Sequence, residues 1–69
     1  MSGDAIRWLE DKPFEGIARD GRAVRIEHSA LSGRYVAAVP LRDQTITRRS
    51  CLTFVEARAA AEALIKEQK

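Results

Sequence analysis

Thr53-Phe54-Val55-Glu56, running on into Ala57-Arg58-Ala59-Ala60-Ala61-Glu62-Ala63-Leu64-Ile65, decides the fold. Thr53 is placed to accept from a backbone N–H of the first helical turn, and Glu56 three residues later is placed to reach back. That is a capping box at the start of an amphipathic helix. Phe54, Ala57, Ala60, Ala61, Leu64 and Ile65 fall on one stripe at helical spacing. Glu56, Arg58, Glu62, Lys66 and Glu67 fall mostly outside it, with Arg58/Glu62 and Glu62/Lys66 at i,i+4 spacing. The small alanines allow close packing on whatever lies beneath.

Upstream, the pattern changes period. Phe14–Arg19 and Arg22–His28 flank Asp20-Gly21, the signature of a β-hairpin with a two-residue type I′ turn. Such a turn pairs Arg19 with Arg22, Ile17 with Val24, Gly16 with Arg25 and Glu15 with Ile26. Ile17, Val24 and Ile26 are then the expected core face. After the loop Ser29–Gly33, the strand Arg34–Leu41 puts Tyr35, Ala37, Val39 and Leu41 on one face and Arg34, Val36, Ala38 and Pro40 on the other. Pro40, lacking an N–H, belongs at a strand end or edge. Arg42-Asp43-Gln44 makes the next turn. Thr45–Leu52 then alternates between Ile46, Arg48, Ser50 and Leu52 and the set Thr45, Thr47, Arg49 and Cys51. If Ile46 points inward, Thr45 and Thr47 join Val36 and Ala38 on the outer face.

Residues 5–10 fit either a short strand, through Ile6 and Trp8, or one helical turn, through Ile6 and Leu9. Lys12-Pro13 ends either element. The expected fold is one α+β domain over residues 1–69: an antiparallel sheet of three to four strands carrying a C-terminal helix.

At 69 residues a single core leaves only about 3–5 kcal/mol of net stability. Cys51 is the only cysteine and His28 the only histidine. That excludes an intrachain disulfide and leaves no Cys/His zinc set, so self-association is the remaining route to extra burial. The stretch Met1-Ser2-Gly3-Asp4 is polar and acidic, unlike a signal peptide, and no apolar run approaches the roughly 18 residues of a membrane span. With a free cysteine, the expected compartment is the cytoplasm.

No catalytic motif stands out. His28 and Cys51 are the only possible Cys/His dyad, and nothing in sequence orients the histidine. A histidine at a strand end and a cysteine packed as a small apolar residue account for both. The carboxylates lack metal-ligand spacing, Gly21 and Gly33 read as turn glycines, and no serine sits in a nucleophile elbow. No enzyme activity, cofactor, metal or small-molecule substrate is expected.

The net charge of +2 is unevenly distributed. Residues 1–18 hold Asp4, Glu10, Asp11 and Glu15 against Arg7 and Lys12. Residues 19–49 hold seven arginines against Asp20, Glu27 and Asp43. Two readings fit: codon composition in a G+C-rich genome, or an arginine face for anionic groups. Arg25, Arg34, Arg48 and Arg49 with Tyr35 are the one local set that combines basic groups with an aromatic, as sheet modules binding single-stranded nucleic acid do. Trp8 reads as a lid over the core edge.

Trp8, Gly33-Arg34-Tyr35-Val36-Ala37 and Thr53-Phe54-Val55-Glu56-Ala57-Arg58 give the chain a resemblance to small bacterial and phage-associated domains of unknown function. Those have an early tryptophan, a few strands and a closing helix. The tail is also similar to the arm-binding domain of phage integrases, which reads DNA with a three-stranded sheet, and to the last helix of double-stranded-RNA-binding domains. Where the latter carry a Lys-Lys-x-Ala-Lys stretch, this chain has Phe54-Val55-Glu56-Ala57-Arg58, and it lacks their first helix. The resemblance implies no site residue. The expected function is a non-enzymatic protein-interaction module, a homodimer or phage-type accessory protein. A nucleic-acid-binding module using the sheet arginines is the alternative.

Overall fold

The structure, a computed structural model, describes residues 5–67. The polar stretch Met1–Asp4 lies outside them. Five strands, β1 (Ile6–Trp8), β2 (Glu15–Ala18), β3 (Ala23–His28), β4 (Tyr35–Pro40) and β5 (Ile46–Cys51), precede one helix, α1 (Phe54–Glu67). The strands form a single meander in the order β1-β2-β3-β4-β5, every neighbour antiparallel. The fold is α+β, with one strand more than the expected three to four. Residues 6–8 form a short edge strand against β2 rather than a helical turn.

The first hairpin departs from its expected geometry. Glu15 pairs with Arg25, Gly16 with Val24 and Ile17 with Ala23. The loop is therefore three residues, Arg19-Asp20-Gly21, closed by Ala18 N–H to the Arg22 carbonyl at 2.8 Å and Gly21 N–H to the Ala18 carbonyl at 2.9 Å. Gly21 has φ of 93°, whereas Asp20 is not among the positive-φ residues. A type I′ turn needs positive φ at both positions, so the loop takes the three-residue form with only its last residue left-handed. The one-residue slip exchanges the faces of β2. Gly16 and Ala18 now point to the core beside Val24 and Ile26, and Ile17 lies half-buried on the opposite face.

Gly16 fits there because it has no side chain. A Cβ would come within 2.6 Å of Ile6 Cγ2 and 2.8 Å of Trp8 Cε3. The β4–β5 loop, Arg42-Asp43-Gln44, repeats the first loop. Leu41 N–H donates to the Thr45 carbonyl at 2.7 Å and Gln44 N–H to the Leu41 carbonyl at 3.0 Å, with Gln44 at φ 75°.

The helix covers one face of the sheet, packing over β3, β4 and β5. Ala57, Ala61, Leu64 and Ile65 meet Ala5, Ile6, Ala18, Val24, Ile26, Ala37 and Val39 in one core cluster. Thr53 caps α1, its Oγ1 accepting from Glu56 N–H at 3.1 Å. Tyr35 and Val39 face the helix as expected. The β4–β5 register sets Thr47 opposite Val39 and Ile46 opposite Pro40. Thr47 therefore belongs to the helix side. Ile46 points away from the core and is 53% exposed, the reverse of the inward orientation considered from sequence.

Trp8 forms the lid over the core edge. Its Nε1 donates to Glu62 Oε2 at 3.1 Å. The Arg58 guanidinium lies 4.7 Å from the Trp8 ring centre and 4.6 Å from that of Phe54, and donates to the Pro13 carbonyl at 2.8 Å. Arg58 and Glu62 thus serve the long-range docking of β1 and the following loop, rather than pairing with each other along the helix.

Candidate functional site

With one helix on a five-stranded sheet, no described element covers the other face. Its side chains follow from the pairings. One cross-strand row runs Glu15, Arg25, Ala38, Arg48. A second runs Glu27, Val36, Ser50. Towards the loop end lie Arg7, Ile17 and Ala23 from β1–β3, and Pro40 and Ile46 from β4 and β5. Ile17, Ala23, Pro40 and Ile46 join Glu15, Arg25 and Arg48 around one shallow hollow of about 250 Å³. The face is therefore an apolar strip bordered by both signs of charge. Glu15 directly opposes Arg25, and Glu27 reaches Arg48 Nε at 3.9 Å, both side chains well solvated. An exposed pair of that kind contributes at most about 1 kcal/mol.

The residues singled out for nucleic acid do not share this face. Arg25 and Arg48 lie on it, each beside a glutamate. Arg49 opposes Ala37 and is on the helix side of β5. Arg34 precedes β4 in the loop. Tyr35 is half-buried in a ring cluster, with centroids 4.4 Å from His28, 5.9 Å from Phe54 and 6.3 Å from Phe14. Its ring packs among neighbours instead of standing free for a base.

His28, Tyr35 and Cys51 are successive partners in one row. Two strand spacings, roughly 10 Å, thus separate the histidine and cysteine strands, and Tyr35 stands between them. The geometry offers no direct Cys/His hydrogen bond. Among the described residues, no three His, Cys, Asp or Glu side chains cluster as a metal would require. Among the same residues, no helix is long and apolar enough to cross a membrane.

A second concentration of charge lies at the loop end, and sequence reasoning missed it. Arg19, Arg22, Arg42 and Lys66 line a cavity of about 270 Å³ with Asp20, over a floor that includes Ala5 and Ile65. Arg22 is held in place, its side chain only 16% exposed: Nε lies 2.7 Å from Asp20 Oδ2, and Nη1 donates to the Pro40 carbonyl at 2.9 Å. Asp20 Oδ1 also accepts from the Arg22 backbone N–H at 3.2 Å. The Arg22 side-chain bond is the main cause holding the Asp20 carboxyl below its ordinary pKa. The one available sequence signal was the repeated Arg-Asp pair, Arg19-Asp20 and Arg42-Asp43, at the tips of two adjacent hairpins. Family models, curated proteins and solved structures yield no match to this chain.

Proposed function

We propose that the protein is a non-enzymatic interaction module that self-associates through its open sheet face. The carrying observation is the apolar strip Ile17, Ala23, Pro40 and Ile46, flanked by Val36 and Ala38 and bordered by Arg7, Arg25 and Arg48 against Glu15 and Glu27. A two-fold interface needs a patch that complements itself, and a face carrying both signs of charge around an apolar strip meets that condition. Two such faces stack at about 10 Å, as in a β-sandwich. The area supports a weak dimer. Strands of three, four, six, six and six residues, at roughly 4.8 Å by 3.3 Å per residue, give on the order of 400 Å² in projection per copy, below the range of stable interfaces and within that of weak ones.

The sheet edges are poorer routes. In every antiparallel register that pairs five or six residues of β5 with a second copy, Arg48 or Arg49 meets an arginine. Like charges directly opposite are destabilising. At the other edge, Ile6 is only 2% exposed, so its backbone is not presented to solvent. The scatter of Arg25, Arg34, Arg48 and Arg49 over both faces and a loop also favours a protein partner over a continuous phosphate-binding face.

Sedimentation equilibrium tests this at about 100 μM, where an association of roughly 5.5 kcal/mol is half complete. The expected weight-average mass lies well above the 7.7 kDa chain mass and approaches twice that value at higher concentration. Val36→Lys and Ile46→Lys, both at positions with solvent access, should return the protein to a monomer with its melting temperature at low concentration unchanged. A wild-type monomer throughout, or dimers indifferent to both lysines, would refute the proposal.

A further inference from the structure

The outer edge of β5 carries an inference independent of the dimer. No described strand lies beyond β5 in the sheet. Its hydrogen-bonding parity follows from the loop that precedes it. Leu41 N–H donates to the Thr45 carbonyl, and in an antiparallel pair bonded and non-bonded positions alternate. Thr47, Arg49 and Cys51 therefore exchange their backbone bonds with Val39, Ala37 and Tyr35. Ile46, Arg48 and Ser50 turn their N–H and C=O groups outward, and all three residues are exposed. The edge thus offers alternating donors and acceptors, the template that an added strand needs.

The charge along this edge selects the strand that fits. β5 holds Arg48 and Arg49 and no carboxylate, and β4 beside it holds no charged residue. Arg48 opposes Ala38 and Arg49 opposes Ala37, so neither meets an opposite charge directly across the sheet. Arg48 lies 3.9 Å from Glu27, one strand further in, with both side chains well solvated. Arg49, exposed on the helix side, forms no ion pair among the described residues. The directly opposed position left for each arginine is on the outer side. The two side chains project to opposite faces, so a partner strand meets them with two consecutive acidic residues, one per face. A second copy of β5 brings arginine to those positions and is disfavoured. A phosphate backbone presents acceptors along its length and matches only the N–H half of the edge. Ile46 and Leu52, both exposed, mark the two ends of the edge and favour apolar residues flanking the acidic pair.

We propose that the β5 edge captures an extended segment of a partner protein by antiparallel strand addition, with two consecutive acidic residues of that segment set against Arg48 and Arg49. The probe is the end-blocked peptide Thr-Val-Glu-Glu-Thr-Val, whose central glutamates face the two arginines when its ends align with Cys51 and Ile46. It is titrated into the ¹⁵N-labelled protein at constant ionic strength. Saturable binding with an alternating signature is expected: downfield shifts and slowed hydrogen exchange at the amides of Ile46, Arg48 and Ser50, with no gain of protection at Thr47 and Arg49. Replacing both glutamates of the peptide by lysine should weaken binding at least tenfold. N-methylating its second glutamate, which keeps the charge but blocks the N–H facing the Arg48 carbonyl, should do the same. Arg48→Glu combined with Arg49→Glu changes two exposed side chains and should reverse the preference, admitting the lysine peptide in place of the acidic one. Val36→Lys, away from the edge, should bind the acidic peptide as the wild type does. The absence of saturable shifts, protection without the alternation, or undiminished binding after N-methylation would overturn the proposal. So would a folded double variant that keeps the original preference, or a single-stranded DNA oligomer that displaces the peptide at equal concentration.

Discussion

At the scale of single residues, the two hairpin loops make a natural comparison. Gly21 and Gln44 occupy the same position in the same loop form, at φ 93° and 75°. Glycine adopts this region freely, whereas a residue with a Cβ is held there at a cost of about 1–2 kcal/mol. Gln44→Gly should therefore stabilise the protein by roughly 0.5–1 kcal/mol, and Gly21→Ala should destabilise it by a similar amount, both read from urea midpoints. Equal and opposite shifts would tie the strain to the backbone; no shift at Gln44 would show that it is already relieved. The aspartates of these loops behave alike. The side-chain bond from Arg22 lowers the pKa of Asp20, and that from Thr45, whose hydroxyl and backbone N–H both donate to Oδ1, lowers the pKa of Asp43. A carboxylate lowered in the folded state adds stability above its unfolded pKa, and that contribution disappears as pH falls through its folded value. The loss at these loops should fall below about pH 4. Carboxyl ¹³C titration should give midpoints under 3.8 for both; a midpoint at or above that value would contradict the hydrogen bonding described.

At the scale of elements, what could be read in the sequence depended on whether local chemistry or long-range pairing set the outcome. The helix was legible because its signals are local: the Thr53 cap and a stripe whose Ala57, Ala61, Leu64 and Ile65 are buried. Removing the cap with Thr53→Ala should cost around 1 kcal/mol in chemical denaturation. A change below a few tenths would mean that solvent satisfies the first turn equally well. The β2–β3 register was not legible. Asp20-Gly21 suits a two-residue turn as well as the last two positions of a three-residue loop, and the choice moves Ile17 out of the core. What settles it is distant: Ile6 and Trp8 occupy the space above Gly16, so only a glycine fits at that position on the core face of β2. Gly16→Ala should destabilise strongly, because Ile6 and Trp8 must shift to admit a methyl group. A variant melting within a degree or two of wild type would refute this close approach. The arginine set spreads over both sheet faces and a loop. Strand parity separates Arg48 from Arg49, and the ring cluster around Tyr35 depends on Phe14, forty residues before Phe54. The loop-end cluster joins three elements that no sequence window contains.

At the scale of the whole molecule, a thin core couples folding to association. α1 supplies four of the eleven clustered core residues. Deleting residues 53–69 would therefore expose the remaining apolar side chains on a sheet too small to stand alone. The truncated chain should lose its cooperative melt and its dispersed amide signals; retention of both would show that the sheet folds without its helix. The described residues form one layer on each side of a single core, in a body of 34 × 26 × 17 Å, and none of them covers the second sheet face. If that face closes against a second copy, folding and association share one equilibrium, and apparent stability must depend on concentration. At a chain concentration tenfold above the dissociation constant, linkage adds about 1 kcal/mol per chain. For a domain of this size that raises the melting temperature by on the order of 4–8 °C. Calorimetry from about 10 μM to about 1 mM should show this rise in the wild type and none in Val36→Lys or Ile46→Lys, whose curves should meet the wild type at the dilute end. A melting temperature independent of concentration in all three would separate folding from association and remove the open face as the interface. A rise that persists in both lysine variants would place the interface elsewhere on the molecule.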